Sequence, residues 1–330
     1  MRRPPPRASA LAPAPALALA MALALAGCGS SPDATPGPTT TTPAPGTYGP
    51  PVRLGDIADD LVVESSGVVA SRANPGRLWT HNDSDDGPVL YCLERDGRSC
   101  GRWEVTGASA RDWEDIAAGP GPRASQPYLY VGDIGDNLRN QGKLVIYRVA
   151  EPLLADPPAA TGQTAPAEAI RLRYEDGPHD AETLMVHPTT GDIYVVTKDL
   201  PAAVYKAAPG ASTLTLVTTL QLGTPGWVTG GDISPDGRRV ILCTLAAGVE
   251  LALPDTPDTP DTPGPDTSGP DTSGNGTFGT TFDEIWAQPP RSVILPRRAQ
   301  GEAIAYTLGG NAVVTTSELS HSPLHEVPRH

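Results

Sequence analysis

Apolar and polar residues alternate over short runs along residues 52–330, and Gly, Pro, Asn and Asp punctuate the runs. That is the period of strands, with turn chemistry between them. The pattern also recurs. Segments with a small or acidic pair before an aliphatic anchor are Ser66-Gly67-Val68, Glu114-Asp115-Ile116, Glu182-Thr183-Leu184, Gly231-Asp232-Ile233 and Glu302-Ala303-Ile304. A turn follows each, at Asn74-Pro75-Gly76, 119–127, 188–191, Pro235-Asp236-Gly237 and Gly309-Gly310. Second strands are predicted at 77–80, 128–131, 192–197, 239–244 and 311–316, and third strands at 90–93, 144–149, 203–207, 282–287 and 323–327. Fourth strands fall at 102–105, 169–174, 214–222 and 292–295, one fewer than the repeats require. Val52-Arg53-Leu54-Gly55 supplies the missing one from the N-terminal side and removes an open edge. The pattern therefore predicts an all-β, five-bladed β-propeller over 52–330, closed by an N-terminal strand.

Two stretches depart from this pattern. Residues 28–51 are Ser, Thr, Pro and Gly with almost no apolar side chains, and read as a disordered tether. Residues 254–281 repeat Pro-Asp-Thr and read as a low-complexity loop inserted in the domain. Ahead of the tether, residues 1–27 carry Arg2, Arg3 and Arg7, an apolar run over 16–26, and then Leu25-Ala26-Gly27-Cys28. This resembles a bacterial lipoprotein signal. The resemblance implies lipidation (palmitate among the acyl groups) at Cys28, cleavage before it, and an extracytoplasmic chain anchored to the lipid membrane of the cell envelope.

The formal net charge is −14, and about −17 without residues 1–27, which hold those three arginines and no acid. Such a balance disfavours nucleic acid, anionic lipid surfaces and phosphorylated polymers as partners. An envelope protein, a small ligand or a cation fits it better. Cys92 and Cys100 flank the Asp96-Gly97 turn signal, which lets them pair across a hairpin in an oxidising compartment; two free thiols are the alternative. Cys243 sits in an apolar run and reads as a buried small hydrophobe.

Asp232-Ile233-Ser234-Pro235-Asp236-Gly237-Arg238-Arg239-Val240 resembles the first hairpin of TolB-like and WD40-like propeller blades. Leu78-Trp79-Thr80-His81-Asn82-Asp83, Asp112-Trp113-Glu114-Asp115-Ile116 and Gly132-Asp133-Ile134-Gly135-Asp136-Asn137 are similar to a group of uncharacterised exported bacterial propellers. The resemblance implies a fold, not an activity.

In such a fold the inter-blade loops and the second-to-third strand loops emerge at one end. That end collects Asp83, Asp85, Asp86, Asp133, Asp136, Asp199 and Glu318 with Asp112, Glu114, Asp115, Asp180, Glu182, Asp232 and Glu302. Glu114, Glu182 and Glu302 share one repeat position, and carboxylates brought together there cannot all ionise cheaply. Glu114, Glu182, Asp232, Glu302, Asp133 and Asp136 are the candidate metal ligands, and Ca2+ suits an oxygen-only set. A solvated acidic rim is the other reading. His81 and His179 map to the same end and are the candidate bases if the site is catalytic; loop-holding hydrogen bonds are the alternative. No Gly-x-Ser-x-Gly, His-Glu-x-x-His or Walker sequence occurs. The sequence thus predicts a binding module with an acidic, Ca2+-compatible face. The alternative is a metal-dependent lactonase, esterase or phosphoesterase on that face.

Overall fold

The computed structural model describes residues 46–83, 86–156, 158, 160–222, 226–245, 247–254, 281–298 and 300–330. The signal segment, Cys28, most of the tether and residues 255–280 of the insertion lie outside these.

Strand β1 (Val52–Asp56) precedes a meander of β2 (Ser65–Ala70), β3 (Arg77–Asn82), β4 (Val89–Glu94) and β5 (Ser99–Glu104). Then come β6 (Trp113–Gly119), β7 (Tyr128–Asp133) and β8 (Leu144–Ala150). The short β9 (Thr161–Gln163) returns to β5 as a parallel partner, and β10 (Glu168–Tyr174) completes the second meander beside β8. Next are β11 (Ala181–Val186), β12 (Ile193–Thr197), β13 (Ala203–Ala207) and β14 (Thr213–Thr219). A parallel contact of β14 with β10 joins these two meanders into one eight-stranded sheet. The fourth meander is β15 (Val228–Ile233), β16 (Arg239–Thr244), β17 (Gly248–Ala252) and β18 (Arg291–Val293). The last is β19 (Ile304–Tyr306), β20 (Ala312–Thr315) and β21 (Pro323–Pro328), and β1 adds antiparallel to β21 as its fourth strand.

The first strand of each meander touches the next: β2 lies against β6, β6 against β11, β11 against β15, β15 against β19, and β19 against β2. This repeated order of four-stranded meanders is an all-β, propeller-like fold. Its core is divided accordingly. One apolar cluster joins Trp79 and Leu90 to Trp113, Leu129 and Val149, and another joins Met185 and Val204 to Val240 and Leu251. Each sheet is thus covered on both faces, which is why first and second strands such as β2, β7 and β12 are buried end to end. Outer strands such as β14 are largely exposed.

The structure departs from the sequence reading in three places. Residues 282–287 form a 3-10 helix, Phe282–Ala287, and not a third strand. Its apolar residues Phe282, Ile285 and Trp286 follow helical spacing, and Glu284 Oε1 accepts a hydrogen bond from Thr281 N at 3.0 Å. The third strand is β17, masked in the sequence by a glutamate, Glu250, that is fully buried against Tyr48, Tyr306 and Arg329. The connection at 152–168 contains β9, too short to register as a run. Residues 46–49, read as the end of the tether, are hydrogen-bonded to the C-terminal segment: Gly49 N donates to Pro328 O at 2.8 Å and His330 N to Thr47 O at 2.9 Å.

Cys92 and Cys100 are joined by a disulfide across the β4–β5 hairpin, with Cα atoms 5.0 Å apart. Cys243 is free and buried, and its thiol donates to Glu302 O at 2.9 Å.

Candidate functional site

Strands β2, β6, β11 and β15 each carry a bulge near the start, at Ser66, Glu114, Glu182 and Thr229. A bulged residue drops out of the ladder and its side chain is re-aimed. This turns Glu114 and Glu182 toward the loops that follow β3, β7, β12 and β20. Glu302, just ahead of β19, occupies the corresponding place.

Glu114 meets Asp83, from the loop after β3, and Asp112, from the loop before β6. One carboxylate oxygen from each lies within 4.8 Å of the others. Gly135 permits the approach, because a Cβ there would collide with Glu114 Oε1 and Asp112 Oδ2. Burial, then the neighbouring acids, raises the pKa of Asp83 and of Glu114. Burial raises that of Asp112. Glu302 is held up by burial and by a hydrogen bond with Glu318. Two cations stand among them: the Lys198 ammonium pairs with Glu182 Oε1 and lowers the pKa values of Asp83, Glu114 and Glu302, and Arg111 lowers that of Asp112. Two buried oxygens there, Asp83 Oδ1 and Glu182 Oε2, have no hydrogen-bond partner. Hard oxygen donors, some unsatisfied, fit a hard cation.

The other residues singled out from sequence have hydrogen-bond partners of their own, although Asp133 and Asp136 still act on Asp112 through their charge. Asp133 pairs with Arg111 at 3.2 Å and accepts from Asp112 N. Asp136 holds a turn, accepting from Asn140 N at 3.2 Å and Gln141 N at 2.8 Å. Asp232 lies farther along its strand than expected. The bulge at Thr229 makes Thr229, not Gly231, the counterpart of Glu114, a shift of two residues. Its carboxylate accepts from Ile233 N at 2.8 Å and Tyr306 N at 2.9 Å.

His81 is fully buried, edge-on to Trp113, with Nδ1 2.8 Å from Asn82 O and Nε2 unpartnered. Burial lowers its pKa to about 4, so it is neutral at pH 7. His179 has both nitrogens engaged: Nδ1 by Asp199 at 3.2 Å, and Nε2 by Asp176 at 3.1 Å and the Tyr205 hydroxyl at 2.9 Å. Neither ring is a free base facing the carboxylates.

Leu138, Leu200 and Leu319 are exposed on the loops after β7, β12 and β20, and Trp227 just before β15. These loops emerge at the end of the sheets that carries the acids. Sequence alone pointed to the acidic end and to Glu114. The pairing of Lys198 with Glu182 depends on β11 and β12 lying in register, which no local motif reports.

No protein-family model matches the chain, and no curated protein matches it. Among solved structures, it is similar to a chain of a nidogen/laminin complex, with 8% identity and a TM-score of 0.40 over 78% of this chain and 73% of that one. It is also similar to the WD40 repeats of RRP9, with 6% identity and a TM-score of 0.42 over 83% of this chain and 97% of that one.

Proposed function

We propose that this chain is a binding module: a five-bladed β-propeller, closed by β1 and tethered through a lipid on Cys28 to the outside of a bacterial membrane. It takes an envelope protein or small ligand at the acidic end of the ring, with a divalent cation, Ca2+, between Asp83, Asp112 and Glu114. The cyclic order of first-strand contacts and the β1–β21 pairing support the closed ring. What carries the binding reading is the convergence of those carboxylates beside buried, unpartnered oxygens on Asp83 and Glu182. At neutral pH such a group is neutralised by protons or by a cation. Binding a cation releases the protons and offers a ligand's oxygen atoms a coordination position on the ion. The exposed Leu138, Leu200, Leu319 and Trp227 offer apolar contact around it. Binding is preferred to hydrolysis because His81 is enclosed and His179 is held by Asp176, Asp199 and Tyr205.

The test is thermal unfolding of the full chain in EDTA and then in Ca2+, Mg2+ and Mn2+. A saturable Ca2+ shift that Glu114→Gln abolishes is expected, since a ligand at 100 times its Kd stabilises by about 2.7 kcal/mol. No response to any of these cations overturns the cation-dependent reading.

A further inference from the structure

On a chain with net charge −14, one cleft is lined by cations. It holds about 550 Å³ and lies where the β15–β16 turn, the end of β17, the start of β18 and the end of β21 meet. Because successive strands run antiparallel, the β15–β16 turn is at the opposite end of its sheet from the loops that carry the acidic group. Arg238, Arg239, Arg291, Arg329 and His330 contribute to its wall. Arg239 is matched by Asp236 at 2.9 Å, and Arg329 by the buried Glu250 at 3.2 Å. Arg238 donates to the carbonyl of Pro254 at 2.5 Å. Neither Arg238 nor Arg291 has a carboxylate partner among the described residues.

Gly46 shapes the space between two of these groups. Its φ is +77°, and a Cβ on it would stand 3.3 Å from a terminal nitrogen of Arg291 and 3.3 Å from one of Arg329. Two guanidinium groups, one from β18 and one from the residue after β21, therefore flank a point that a side chain would fill. We infer that this cleft binds a small phosphorylated ligand, with Arg238 and Arg291 as its principal contacts and Arg329 as the third. Guanidinium forks meet oxyanions through paired N–H donors. Donors reaching in from separate parts of the chain match a tetrahedral phosphoryl group, whose oxygens diverge, better than a planar carboxylate. The volume suits a small molecule, and the net charge of the chain disfavours a phosphorylated polymer.

Calorimetric titration of the full chain with inorganic pyrophosphate in EDTA, at constant ionic strength set with chloride, tests this independently of the acidic end. Saturable binding is expected, weakened at least tenfold in Arg238→Gln/Arg291→Gln. That variant removes no side-chain ion pair, and its unchanged circular dichroism and melting point would show that the fold is kept. Gly46→Ala, which retains every charge and narrows the space, is expected to weaken binding severalfold. Absence of saturable binding, binding undiminished in the double variant, or citrate bound as tightly as pyrophosphate would each overturn the assignment.

Discussion

Two kinds of buried carboxylate stand one residue apart on β6. Asp115 is enclosed by main chain: its Oδ1 accepts from Ile116 N at 2.8 Å and its Oδ2 from Leu184 N at 3.0 Å. Leu184 belongs to β11, so the side chain clasps neighbouring first strands. Asp232 does the same between β15 and β19 through Tyr306 N. Glu114 instead faces Asp83 and Asp112. Burial raises the pKa of all of these, but only Asp115 and Asp232 have backbone N–H groups to offset it. A buried carboxylate met by fixed N–H donors belongs to the scaffold, whereas one met by other carboxylates calls for a proton or a cation.

Stability separates the two kinds of carboxylate most widely. Asp232→Ala leaves the N–H groups of Ile233 and Tyr306 without their acceptor, and each buried orphan costs about 1–3 kcal/mol. A loss of roughly 3 kcal/mol or more is expected in urea unfolding. Asp112→Ala, which removes a like charge, is expected to stay within about 1 kcal/mol of the parent chain. Equal losses would mean that the two kinds of carboxylate do not differ.

The scaffold carboxylates also titrate. Burial raises Asp232 from 3.8 to about 7, so between those values the folded chain holds a proton that the unfolded chain has released. Stability from this group is present below pH 3.8 and lost as pH rises toward 7, by at most about 4 kcal/mol at 1.36 kcal/mol per unit. Asp232→Asn keeps an acceptor and is expected to flatten that fall in denaturant midpoints measured between pH 4.5 and 7.5.

His81 acts with the opposite sign. Its pKa is lowered from 6.5 to about 4, so the unfolded chain binds the extra proton in that window and stability rises with pH. The contribution is about 3 kcal/mol, complete above pH 6.5 and lost as pH falls to 4. Asp83, Glu114, Asp115 and Glu302 are raised like Asp232 and slope the other way over this range, so the His81 term is read as the difference between the parent chain and His81→Asn, which is expected to grow from pH 4.5 to 6.5. A difference that does not change with pH would show that the ring is not held neutral.

Much of the scaffold was legible because strands and turns are local. The 239–244 strand, the Asp96-Gly97 hairpin that brings Cys92 to Cys100, and the acidic character of one end all follow from adjacent residues. Register was not legible. Strand alternation has a period of two, so the two-residue displacement of Asp232 leaves the apolar pattern unchanged, and only the bulge at Thr229 reveals it. Glu250 hid β17 because a buried glutamate defeats the pattern unless its partners, Tyr48, Tyr306 and Arg329, are known. The arginine cleft draws on residues 46, 238, 291 and 329, too distant in sequence for any motif, and the net charge of the chain pointed away from it.

The smallest effect separates a cation site from a strained scaffold most directly. Asp112 faces Asp83 and Glu114 and is itself raised by burial, so Asp112→Asn removes one charge from a group of acids and keeps its shape. In EDTA the variant is expected to be unchanged or more stable by about 1 kcal/mol, because burial and the neighbouring acids together outweigh the attraction of Arg111 and leave the ionised form disfavoured. In Ca2+ the order reverses, since the parent chain gains the binding term and the variant gains little of it. Melting points of the two chains in both buffers are enough to see the crossing. Parallel curves, with the variant displaced equally in EDTA and in Ca2+, would assign Asp112 to the scaffold alongside Asp115 and Asp232.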